Sequence, residues 1–122
     1  MRLVRNLTFF AGLAVLTGCS NDSTSDLIGD PIPPGATITY SGNVAAIINN
    51  NCLGCHSNPT QNGAPMSLTT YEFVKQAIQN RGLLDRISRD QGAEGMMPLG
   101  GTRLPQSAID IIEQWQQQGL QE

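Results

Sequence analysis

The feature that most constrains this 122-residue chain is Cys52-Leu53-Gly54-Cys55-His56. Two cysteines two residues apart, with histidine directly after the second, form the spacing of a covalent haem c attachment site. The reason is geometric. Two thiols about one helical turn apart can add to the two vinyl groups on one porphyrin edge. The next residue then lies under the iron and offers an imidazole nitrogen, a standard axial ligand. A thioredoxin-like dithiol would sit beside a βαβ pattern, and the chain has none. A zinc site needs four ligands. The chain has three cysteines and one histidine, and a Cys2His set would have to borrow an oxygen or a water. A chance occurrence without cofactor is the remaining alternative.

The start of the chain reads as a targeting segment. Arg2 and Arg5 form a positive n-region, and Leu7 to Leu16 are almost all apolar, too short for a stable membrane span. The segment ends Leu16-Thr17-Gly18-Cys19. This resembles the lipobox of bacterial lipoproteins, which implies a signal peptide over 1–18, lipid on Cys19 and a place in the cell envelope, anchored to membrane and facing the periplasm. An ordinary secretory signal is the alternative. The lipoprotein reading closes the cysteine count: Cys19 goes to lipid, Cys52 and Cys55 to haem, and none is left for a disulfide. More than one acyl chain on Cys19 would hold the protein stably on a membrane surface.

Without residues 1–18 the chain carries five basic and ten acidic residues, and from Ser41 onward five and seven. That balance is too mild to argue for nucleic acid or strong electrostatic steering. Residues 19–39, rich in Ser, Asp, Thr, Pro and Gly after the cysteine, read as a flexible tether. About 20 such residues reach roughly 25 Å. The remainder, 40–122, is one domain of about 80 residues, a size at which a core usually needs a staple. A covalent haem would provide it.

The domain reads as all-α. Ser41 is the expected N-cap of a first helix with Val44, Ala45, Ile47 and Ile48 at helical spacing, ending at Asn49-Asn50-Asn51. Residues 57–65 are loop chemistry, with a backbone carbonyl there, Pro65 first, expected to fix the tautomer of His56. Thr69 and Glu72 have capping-box spacing before a second helix carrying Tyr71, Val74 and Ile78, which Gly82 ends. Leu83, Leu84 and Ile87 predict a short helix closing near 90–92. Residues 95–101 predict an extended, non-helical loop. The last helix has Pro105 near its first turn and a stripe of Ala108, Ile111, Ile112 and Trp115, with Gly119 as C′ residue.

The sixth iron position has several candidates. With one histidine in the chain, bis-histidine ligation is excluded. Met66, Met96, Met97, Lys75 or an empty or water-filled site remain. Met66 is ten residues past His56, on the loop that hugs the same side. Met97 is preferred over Met96 because Pro98 fixes the backbone beside it as extended.

From about Tyr40 to Gly119 the chain resembles a class I monohaem cytochrome c domain, in particular the short domains of bacterial envelope lipoproteins. The features that carry this are the helix leading into Cys52-x-x-Cys55-His56, the Met97-Pro98 loop, and the last helix with Trp115. The resemblance implies a small cytochrome c fold of three to four helices around one haem c. Thioethers would form at Cys52 and Cys55, with His56 as proximal and Met97 as distal ligand. It also implies crossed N- and C-terminal helices and an electron-transfer function with redox partner proteins. In the loop after His56 this chain has Gly63-Ala64-Pro65-Met66 where many relatives have Gly followed directly by Pro. Two alternatives stand beside it: a gas or redox sensor or peroxidase-like site with a labile sixth ligand, and a haem-free structural or zinc-binding lipoprotein. No catalytic acid–base constellation stands out.

Overall fold

The computed structural model describes residues 32–122. The expected signal peptide, the lipid site at Cys19 and most of the tether lie outside the described residues. Among the described residues there are four α-helices and no strand: α1 (Ala45–Asn51), α2 (Tyr71–Asn80), α3 (Leu83–Ser88) and α4 (Gln106–Gln117). A π-helical turn, Tyr40–Val44, leads into α1. No helix among them is long and apolar enough to cross a membrane.

The first turn starts earlier than Ser41. Thr39 is the N-cap, its hydroxyl accepting from Gly42 N at 3.0 Å, while Asn43 Oδ1 accepts from Thr39 N at 3.1 Å. This reciprocal pair satisfies donors at both ends of the turn. At α2 the cap is Thr70, not Thr69: its hydroxyl accepts from Phe73 N, and the Thr69 side chain pairs with Ser67. Three residues separate cap and recipient in either register, so spacing alone could not choose.

The core forms where the π-helical turn packs on α4, with Ile38, Val44, Ile48, Val74, Ile112 and Trp115 at its centre. On α4 the buried residues are Ile109, Ile112 and Trp115, while Ala108 and Ile111 are half-buried. The expected stripe is therefore rotated, and Ile109 was missing from it. A stripe about four residues wide has no unique centre on a helical wheel; the packed neighbours set it. The polar face (Gln106, Asp110, Glu113, Gln114 and Gln117) is exposed as expected.

The helix end is a Schellman turn. Leu120 N donates to Trp115 O at 2.9 Å and Gly119 N to Gln116 O at 3.2 Å, with Gly119 at φ +92°. This returns the tail onto the core. Leu120 O accepts from Tyr71 Oη (2.8 Å), and Gln121 O accepts from both Trp115 Nε1 (2.7 Å) and Tyr40 N (2.9 Å). The tail thus ties the first turn, α2 and α4 together.

The packed domain also begins before residue 40. Ile38, assigned to the tether by composition, is fully buried. Gln118 holds its backbone: Ile38 N donates to Gln118 Oε1 (2.7 Å) and Gln118 Nε2 donates to Ala36 O (3.0 Å). Isolated isoleucines in a Pro- and Gly-rich stretch carry too little periodicity to announce a core contact. Gln118→Ala removes both bonds and should lower stability by about 1–3 kcal/mol. Urea unfolding should show a reduced midpoint with unchanged slope.

Candidate functional site

Helix α1 sets the site. Cys52 N donates to Ile48 O (2.8 Å), so Cys52 completes its last turn. Cys52 O then accepts from Cys55 N (3.2 Å) and His56 N (2.9 Å), which folds the pentapeptide back on itself. Neither cysteine is in a disulfide; both are half-buried and line the same cavity as His56. Asn62 donates to Cys55 Sγ at 3.4 Å. Burial pushes the Cys52 thiol up to about 11. An attacking thiol is favoured by the opposite, a lowered pKa, so the burial of Cys52 does not favour it in that role.

His56 is buried, 9% exposed. Its Nδ1 lies 2.8 Å from Met66 O. A carbonyl only accepts, so Nδ1 carries the proton and Nε2 keeps the lone pair that a metal would take. The carbonyl is one residue later than Pro65. The cause is the loop closure: Leu68 N donates to His56 O at 2.8 Å, which draws Met66, not Pro65, against the ring. The described residues contain no buried side-chain nitrogen or oxygen without a partner. His56 Nε2 has no hydrogen-bond partner among them, so it is not fully buried, and His56 lines the cavity.

The cavity has a volume of about 620 Å³. Its apolar wall comes from separate parts of the chain: Leu68 before α2, Leu83 and Ile87 on α3, and Leu104 before α4, all buried. Met97, with Pro98 and Leu99, forms another part of the wall. The loop carrying Met97 is non-helical but not extended. It runs through tight turns at 91–92, 94–95 and 99–100, with Met97 N donating to Arg86 O at 3.0 Å. Turn-forming glycines at 92, 95 and 100 all take positive φ, and their effect outweighs the single proline.

The four candidate sixth ligands separate. Met97 reaches the cavity; Met96 is buried (4% exposed) and is not on its wall. Met66 lines the cavity through the same loop that holds His56. Lys75 is elsewhere, its ammonium donating to Tyr71 Oη at 3.2 Å and lying 5.2 Å from the ring centre. That bond to Tyr71 raises its pKa.

Sequence reading passed over two residues here. Arg81 and Arg86 are the cationic side chains on the cavity wall, and no carboxylate joins them. Their spacing of five on either side of Gly82 carries no periodic signal. Among the described residues no cluster of three or more His, Cys, Asp or Glu side chains is arranged to hold a metal ion.

No family model matches the chain, and comparison with curated proteins and with solved structures returns no match either.

Proposed function

We propose that this protein is a monohaem c-type cytochrome that transfers electrons at a bacterial cell envelope. The single observation that carries the reading is the convergence of Cys52, Cys55, His56 and Met97 on one mainly apolar cavity, with His56 Nδ1 already committed to Met66 O. The donor set suits haem c: two thiols for thioethers, an imidazole with Nε2 free, and a thioether sulfur from a different part of the chain. A volume of about 620 Å³ is in the range of sites that enclose sizeable organic ligands. The small all-α domain is compatible with the small cytochrome c fold.

When bound, haem supplies a one-electron ferric/ferrous couple. Cys52 and Cys55 would hold it covalently. His56 would be the proximal ligand, its basicity raised by the Met66 carbonyl. Met97 would be the distal ligand, a soft neutral donor that favours the ferrous state. Arg81 and Arg86 give the cavity a cationic edge suited to the carboxylates of such a group. Leu68, Leu83, Ile87 and Leu104 would exclude water from it. Were His56 and Met97 both to bind the iron, the chain would leave no coordination site for a substrate, which favours electron transfer over catalysis. We propose further that lipid on Cys19 holds the domain at the membrane, with redox proteins as partners.

The test is the visible spectrum of the full-length protein produced with haem-attachment machinery. The expected result is a six-coordinate low-spin haem with a weak Met–iron charge-transfer band in the ferric state. The colour should stay with the denatured chain in acid–acetone, and neither thiol of the pair should alkylate in denaturant. High-spin iron that takes up CO at once would favour the sensor or peroxidase-like reading. A colourless protein with two alkylatable thiols would refute haem altogether.

A further inference from the structure

Helix α3 grips the Met97 loop through two arginines. The Arg86 carbonyl accepts from Met97 N at 3.0 Å, and the Arg86 guanidinium donates to Gly95 O at 3.2 Å. One turn on, Arg89 sets Nε and Nη2 on Asp85 Oδ2 at 3.2 and 2.7 Å. That ion pair turns its remaining arm, Nη1, onto Glu94 O. Both guanidiniums lie over Gly95. A Cβ there would overlap Arg86 Nη1 and stand 2.6 Å from Arg89 Nη1, and its φ of +72° already favours glycine. An exposed i,i+4 ion pair contributes little stability. Its product here is direction: it aims a donor at the Glu94 carbonyl, on the turn that leads into Met96 and the cavity-lining Met97. Beyond Met97 the loop has little apolar hold, since Leu99 is 75% exposed.

Resting on the haem reading, we propose that Arg86 and Arg89 act as a latch. They are positioning residues that hold the 94–97 turn so that Met97 stays at the iron and the sixth position stays closed. Releasing the latch converts a closed electron-transfer site into one that binds a small neutral ligand.

The test uses the full-length haem-loaded protein and four variants: Gly95→Ala, Arg86→Gln with Arg89→Gln, Arg89→Lys, and Arg103→Gln as comparator. Arg103 donates to the carbonyls of Ser88, Arg89 and Leu104, and so pins the end of α3 without touching 94–97. Readouts are the ferric Met–iron band, CO uptake by the ferrous form, and the thermal midpoint. Gly95→Ala and the double variant should lose most of the band and admit CO. Losing two charge-assisted hydrogen bonds should shift the Met97 on–off balance about tenfold or more. Arg89→Lys, which keeps one donor, should fall between them and wild type. Arg103→Gln should lower the thermal midpoint and keep the band.

A double variant that stays low-spin and closed to CO overturns the latch, as does an Arg103→Gln variant that loses the band equally. Should the double variant not accumulate, Arg89→Gln alone decides by the same readouts. A wild-type protein without haem removes the cytochrome function and the latch with it. A low-spin wild type with unresponsive variants removes the latch alone.

Discussion

Met97→Ala is expected to abolish the Met–iron charge-transfer band completely and to leave iron that is high-spin or water-ligated and binds CO. The reduction potential should fall, because the soft sulfur that favours ferrous iron is gone. Haem should remain attached, since Cys52, Cys55 and His56 belong to a different segment. Met96→Ala should behave in the opposite way. Met96 is 4% exposed and off the cavity wall. Its truncation leaves a void and should cost about 2–5 kcal/mol of stability, as large-to-alanine core changes do, while the band persists. Spectra and urea titrations of the two variants together separate ligand from core residue. Loss of the band in Met96→Ala alone would reverse the assignment.

Trp115→Ala should be the most destabilising single change. The side chain is fully buried and packs edge-on or tilted against both Tyr40 and Tyr71, with ring centres 5.9 and 6.2 Å away. Truncating a buried tryptophan costs about 3–5 kcal/mol, and each aromatic pair adds about 0.5–1.5 kcal/mol beyond area. The Nε1 bond to Gln121 O is also lost, which loosens the tail that holds Tyr40 and Tyr71. Whole domains have only about 5–15 kcal/mol to lose, and a small one stands at the low end. The variant should therefore be largely unfolded when haem-free and markedly less resistant to urea when loaded. Trp115→Phe keeps the ring contact and loses the hydrogen bond, for a cost nearer about 1–2 kcal/mol. Far-UV circular dichroism against urea measures both.

Local chemistry alone makes some features legible in the sequence. Gly82 and Gly119 punctuate α2 and α4 because only a residue without Cβ takes their positive φ easily. Val74 and Ile78 are buried on α2 as their spacing required. The places where reading failed are those where two local solutions are nearly equal in energy. Thr39 won over Ser41, and Thr70 over Thr69, because a partner elsewhere in the turn completed the cap. The Met66 carbonyl won over that of Pro65 because Leu68 N had pulled the loop shut. Ile109 joined the core because the neighbours of α4 chose the rotation of its stripe.

Residue order alone determined the all-α class, the adjacency of Cys52, Cys55 and His56, and the set of possible sixth ligands. Those features arise from bonds and contacts within a few residues. Tertiary structure decided that Met97 and not Met96 reaches the cavity, and that Lys75 does not. It also decided that Arg81 and Arg86 border the cavity and that Ile38 belongs to the domain. Such outcomes depend on where the chain passes in space after tens of intervening residues, and no local preference encodes that path.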